Sequence, residues 1–174
     1  MFFDPKQSPG LLLVGLFLLS ITACSATRTL ETRPAAAPRD PMIVEEPVAL
    51  TPSVNAHVKK IQFFEGERSK VALVDRKYET RFATKIARTV YTEISLDYPR
   101  TASQIYFPIR LDFRRNGKTV RIEEIDNRIG PDWTSSSHII SAGSFNPGTW
   151  LVGNYEVDVY INAKKAAIGY FEIY

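Results

Sequence analysis

The residues able to do chemistry are few and scattered along the chain. There is one cysteine, Cys24, and two histidines, His57 and His138. A zinc site needs three or four ligands at defined spacing, and no such set is visible, so no metal and no other cofactor is expected. Glu123 and Glu124 are adjacent in a segment that reads as a strand. They therefore point to opposite faces and cannot act as an acid–base pair. No nucleophile elbow, zincin helix or phosphate-cradling glycine loop occurs. The chain reads as a non-enzyme, with a hydrolase assembled from distant loops as the remaining alternative.

The most site-like stretch is DWTSSSHIISAGS, Asp132 to Ser144, read here as a loop. Trp133 offers an aromatic face, Ser135, Ser136 and Ser137 offer hydroxyls, and His138 offers one titratable ring. Those are the groups a sugar or glycan site uses, and function concentrates in loops. The competing reading is structural and is preferred: Trp133 covers the core edge while the serines satisfy loop backbone. The cations Arg110, Arg114, Arg115, Lys118 and Arg121 gather around one hairpin, where neighbouring acids make them a solvated face rather than an anion site.

What positions these groups begins with the N-terminus. LLLVGLFLLSITAC, residues 11–24, holds an apolar run of about 11 residues, short of the roughly 20 a membrane span needs. It fits the hydrophobic region of a signal peptide, which covers about 7–15 residues. Ile21-Thr22-Ala23-Cys24 closes the run, and the arrangement resembles a bacterial lipoprotein signal peptide with its lipobox. The resemblance implies that Cys24 is acylated (palmitate included) and becomes the mature N-terminus, anchoring the protein to the membrane by lipid. Ser25, in place of an aspartate, points to the outer membrane facing the periplasm in a Gram-negative host, with the cell surface as the alternative.

Residues 24–58 follow as a lipidated N-terminus and tether, with prolines at 34, 38, 41, 47 and 52 and no glycine. No sustained period of 2 or 3.6 runs through this stretch, so it reads as semi-extended and disordered, with Met42-Ile43-Val44 able to add a short edge strand but, between prolines, not a central one. Residues 59–174 are long enough for one domain and carry 18 Lys+Arg against 14 Asp+Glu. So mild a basic balance specifies no partner, and an exported chain has no nucleic-acid target.

Strand signals dominate that domain. Val90, Thr92, Ile94 and Leu96 alternate with polar or aromatic neighbours, and Ile105, Phe107, Ile109, Leu111 and Phe113 continue the pattern over ten residues. Asn116-Gly117 then signals a type I′ hairpin. Continuing from a two-residue turn, Phe113 faces Val120, Leu111 faces Ile122, Asp112 faces Arg121 and Arg110 faces Glu123, with both charge pairs opposite in sign. Segments near 59–64 and 70–75 supply earlier strands, while 81–88 is ambiguous. The last hairpin joins Tyr155–Ile161 to about 166–173. A three-residue loop 162–164 is preferred because it turns Ala167, Gly169, Phe171 and Ile173 inward. Seven or eight short strands without helices predict an all-β, antiparallel, immunoglobulin-like sandwich, and the missing Cys…Trp…Cys signature excludes an antibody-type domain.

The run Gly148-Thr149-Trp150-Leu151-Val152-Gly153-Asn154-Tyr155-Glu156-Val157-Asp158-Val159-Tyr160-Ile161-Asn162, ending in Phe171-Glu172-Ile173, is similar to the C-terminal signature of an immunoglobulin-like accessory module. That module occurs in bacterial exported proteins and follows a G-x-W-x-x-G-x-Y-x-V-x-V-Y pattern. Gly130 to His138, Phe82 and Tyr98-Pro99 fit it as well, and Ala163 stands where the module has glycine. The resemblance implies a sandwich without a settled biochemical role. Physically, Gly148 and Gly153 allow sharp turns around Trp150, which plugs one end of the sandwich while Tyr155 and Val157 extend the core. Two functional classes follow. One is a lipid-anchored, non-catalytic interaction module for another envelope protein, working through loops or a sheet edge. The other is a glycan- or peptidoglycan-binding module using Trp133 to His138.

Overall fold

The computed structural model describes residues 39–66 and 72–174. The signal peptide, Cys24 and residues 25–38 of the expected tether lie outside the described residues. Ten strands are present among the described residues: β1 (Met42–Ile43), β2 (Val48–Thr51), β3 (Val54–Gly66), β4 (Arg81–Phe82), β5 (Thr89–Asp97), β6 (Ile105–Arg115), β7 (Lys118–Ile129), β8 (Ser135–Gly143), β9 (Gly153–Ile161) and β10 (Lys164–Ile173). A single 3-10 turn, Leu73–Asp75, is the helical element among the described residues, and it occupies part of a segment expected to be a strand.

The strands form two facing sheets. One runs β1-β10-β9-β6-β7, with β4 joined to β10, and the other runs β2-β3-β5-β8. Every pairing is antiparallel except the two-residue β4, which runs parallel to the end of β10. Taking β3, β5, β6, β7, β8, β9 and β10 as A, B, C, C′, E, F and G gives A-B-E against C′-C-F-G. The chain is an immunoglobulin-like β-sandwich. Alternation builds the core: Val90, Thr92, Ile94 and Leu96 from β5 meet Ile109, Leu111 and Phe113 from β6 and Val157, Val159 and Ile161 from β9, all fully buried.

The sandwich begins earlier than residue 59. β2 and the first half of β3 bury Val48, Leu50, Ala56 and Val58 in the core, and β1 pairs Met42 with Ile168 and Ile43 with Ala167. Pro41, Pro47 and Pro52 all fall outside the strands, where no ladder donor is needed. Prolines at this spacing cut the apolar alternation into pieces of two to four residues, too short to register as a period.

Two hairpins depart from the expected register through bulges. In β6–β7, Arg115 pairs with Lys118 and Arg114 with Thr119, but Phe113 pairs with Arg121, so Val120 is an extra residue. Leu111 then faces Glu123, Asp112 faces Ile122 and Arg110 faces Glu124. The expected charge pairs across the strands are replaced by pairs along them: Arg110 to Asp112 at 2.6 Å and Arg121 to Glu123 at 2.5 Å. In β9–β10 the turn has two residues, Asn162 and Ala163, both at positive φ. A bulge at Ala166 then restores Ala167, Gly169 and Phe171 opposite Val159, Val157 and Tyr155. The inward set is the one a three-residue loop would give, reached by a different route.

At one end Trp150 lies buried among Phe113, Tyr155 and Phe171, with ring centroids 5.2–6.1 Å away. Gly148, at φ +78°, and Gly153, at φ +144°, bracket it in conformations that L side chains rarely adopt.

Candidate functional site

The stretch read as a site loop is mostly strand. Only Gly130 to Thr134 form a loop, and Ser135 to Gly143 make up β8, paired residue for residue with β5 from Asp97 to Thr89. Alternation therefore splits the candidate cluster: Ser136 and His138 face the interior, whereas Ser135 and Ser137 face outward. Its members do not converge on one ligand.

His138 is buried on the inner face, edge-on to Phe107 at 5.3 Å. The Asn127 amide oxygen lies 3.1 Å from Nδ1 and the Ser136 hydroxyl 2.7 Å from Nε2. An amide oxygen only accepts, so Nδ1 carries the hydrogen and Nε2 accepts from Ser136. Both ring nitrogens are satisfied by the neutral form, and burial lowers the imidazole pKa to about 4. His138 clips β7 to β8 at the point where the sheets meet; it is not presented to a ligand.

Ser137 is engaged on the opposite face. Its hydroxyl donates to Glu93 at 2.5 Å, beside Tyr78 at 2.7 Å and Arg76 at 2.9 Å. Burial alone would raise the Glu93 pKa, but the donors from Ser137, Tyr78 and Arg76 outweigh it and hold the carboxyl below its usual range. Above them Phe64 stacks on Tyr91 at 4.8 Å, with the Arg76 guanidinium 5.3 Å over the Phe64 ring. This cluster fastens the 72–79 segment onto the outside of the smaller sheet. Trp133 is different. Its ring is 51% exposed and rests on Gly130, where an added Cβ would come within 2.9 Å of the indole.

What the strand assignment reveals is an edge. Among the described residues β8 pairs with β5 alone, so within them one side of a nine-residue, bulge-free strand has no strand partner. It contains no charged residue and no proline, the devices with which natural edges are commonly protected. The signal was present in SSSHIISAG as Ser136, His138, Ile140 and Ala142 alternating with Ser137, Ile139 and Ser141. The Ile139-Ile140 doublet and three serines masked it. Among the described residues, no group of three or more His, Cys, Asp or Glu could hold a metal ion, and no helix is long and apolar enough to cross a membrane.

No protein-family model and no curated protein matches the chain. Among solved structures it is similar to an immunoglobulin-like protein from Pseudomonas aeruginosa. The identity is 12% and the TM-score 0.43, over 68% of this chain and 96% of that one. It is also similar to the Pseudomonas fluorescens alkylpurine DNA glycosylase AlkC, solved bound to DNA containing an abasic site analog. There the identity is 7% and the TM-score 0.43, over 68% of this chain, which spans only 30% of the glycosylase.

Proposed function

We propose that the chain is a lipid-anchored, non-catalytic interaction module of the bacterial envelope, held by acylated Cys24 and engaging another envelope protein through the edge of β8. The observation that carries this reading is the fate of the polar residues. His138, Ser136, Ser137 and Glu93 are spent on holding strands and a covering segment together, while the main-chain edge beside them has no strand partner among the described residues. Main-chain hydrogen bonds to an added strand supply affinity in such a mode, and alternate side chains supply selectivity.

Two experiments test it. Cys24→Ala should leave an unacylated precursor, and membrane fractionation with mass analysis of the N-terminus reads this directly. An unmodified N-terminus in the wild type contradicts the anchor. A photo-crosslinker at Ser141, exposed on β8, should give a discrete envelope-protein adduct in cells, whereas one at Tyr106 should not. Equal labelling at both positions contradicts the edge.

The exposed Trp133 ring favours glycan or peptidoglycan binding as the second reading. Retention on purified cell wall that is lost in Trp133→Ala would support it over the first.

A further inference from the structure

Two hairpin turns of the chain are built on the same plan. Asn116-Gly117 joins β6 to β7 at φ +52° and +75°, and Asn162-Ala163 joins β9 to β10 at φ +47° and +63°. Their asparagines meet different surroundings. The Asn162 amide is clamped, donating to Ala49 O at 2.7 Å and Leu50 O at 3.0 Å. Asn116 is exposed and, with Gly117, lines a recess of about 310 Å³ that Arg39, Arg114, Glu156 and Glu172 share. A Cβ added to Gly117 would meet nothing within 4 Å. The hairpin closes through Arg115 and Lys118, which leaves the Gly117 N–H outside the ladder.

In that setting the side-chain carbonyl carbon of Asn116 is an electrophile next to a main-chain nitrogen. Glycine puts no Cβ beside that nitrogen and lets the turn rotate toward attack. Arg114 Nη1 donates to Glu156 and Asp158, while its Nη2 lies 3.4 Å from Gly117 O. A cation so close favours the negative charge that the reacting atoms acquire. The other asparagines lack one or more of these conditions. Asn146 precedes Pro147, whose nitrogen has no proton to lose. Asn55 and Asn154 sit in paired strands ahead of Ala56 and Tyr155. The Asn127 side chain is engaged by His138 and Ile125 O.

We infer that Asn116 is a site of spontaneous modification, deamidating through a cyclic imide formed with Gly117. The Gly117 nitrogen bonds to Asn116 Cγ, and the side-chain nitrogen leaves as ammonia, carrying the proton that Gly117 loses. Water then opens the imide. Attack at Cγ gives aspartate, and attack at the main-chain carbon gives isoaspartate, with the chain continuing through the side-chain carboxyl. One water is consumed and one ammonia released, with no change of oxidation state. Either product sets a new carboxylate beside Arg114, in competition with Glu156 and Asp158. Isoaspartate also adds a main-chain carbon to the turn that aligns Arg115 with Lys118. The change stays local, because β7 pairs with β6 alone among the described residues and buries only Ile129, at its far end. The site needs neither Cys24 nor β8 and goes beyond the proposed function.

The test incubates the purified full chain in mildly alkaline heavy-oxygen water. Peptide mass spectrometry should find heavy oxygen at position 116 and at none of the other asparagines. An isoaspartate-specific methyltransferase should label the aged chain, and isoelectric focusing should show the gain of one negative charge. Mildly acidic buffer should slow conversion, because the attacking nitrogen must lose a proton. Gly117→Ala gives this turn the residue pair that the β9–β10 turn already holds, and it should slow conversion about tenfold. An Asn116 that stays intact while a free peptide of residues 112–121 deamidates in the same buffer overturns the inference. So does conversion of Asn162 as fast as Asn116, or a Gly117→Ala chain that converts at the wild-type rate. Aspartate without isoaspartate also overturns it, since direct hydrolysis yields aspartate alone.

Discussion

The indole nitrogen of Trp150 donates across 3.2 Å to the main-chain oxygen of Arg88, tying the loop before β9 to the loop before β5. The ring is 7% exposed and meets Phe113, Tyr155 and Phe171. One side chain thus closes the core and joins loops from the two sheets.

Removing it should be severe. Trp150→Ala should cost about 3–5 kcal/mol, a large part of the roughly 5–15 kcal/mol that stabilises a whole domain. Trp150→Phe keeps much of the ring and loses the hydrogen bond, for about 1 kcal/mol from that bond. Urea denaturation of both variants reads the difference, and a wild-type midpoint for the alanine variant would refute the plug.

Acid should destabilise the protein through His138 in particular. Its folded pKa, about 4, lies below its unfolded value, near 6.5. Between these values the unfolded chain binds a proton that the folded chain excludes, so stability falls as pH drops from about 6.5 toward 4. The full effect is on the order of 3 kcal/mol. Glu93 adds a loss at lower pH, because its folded pKa is depressed and its contribution fades as pH falls below its unfolded value through its folded one. Denaturation midpoints taken from pH 7 to pH 4 should fall, and His138→Gln should flatten the upper part of that range.

Ala163 holds a left-handed conformation at φ +63°. That geometry costs an L residue roughly 1–2 kcal/mol, while glycine gains about 0.4–1 kcal/mol of unfolded-state freedom. Ala163→Gly should therefore stabilise the fold by about 0.5–1 kcal/mol, seen as a raised denaturant midpoint. Asn162, at φ +47° in the same turn, donates through its side chain to Ala49 O at 2.7 Å and Leu50 O at 3.0 Å. Asn162→Ala should lose these bonds and loosen β2.

Gly169 has no room for a side chain: a Cβ would lie 2.4 Å from Phe63 Cζ and 3.2 Å from Ile61 Cγ2. Gly169→Ala should overpack the core at a cost of about 1–3 kcal/mol, measurable by thermal or urea melts.

The class of fold was legible because β6 and β9 alternate without interruption, with Ile105, Phe107, Ile109, Leu111 and Phe113 and Tyr155, Val157, Val159 and Ile161 all pointing to the core face. The β6–β7 register was not, although Val120 and Ile122 are out of phase with Ile125 and Ile129. That parity break falls after Ile122, whereas the bulge lies at Val120, so the pattern does not locate the bulge. Extrapolating from the turn followed Val120 and Ile122, while the structure follows Ile125 and Ile129, which share a face with Ile109 and Ile105. The result leaves Val120 and Ile122 half exposed. The candidate site misled for a related reason. Serine-rich polarity looks like a loop, but an edge strand with one solvated face needs no apolar residues there. The separation of Ser136 and His138 from Ser135 and Ser137 followed only once the strand was known.

The direct test of the β8 edge is hydrogen exchange of the full chain, purified and in native envelope membranes. In the purified protein the amides of residues 135–143 that do not bond to β5 should exchange rapidly. In the envelope they should become protected, with Trp133 and the exposed face of β6 unchanged. Identical exchange across 135–143 in both settings would contradict the edge as the partner-binding surface.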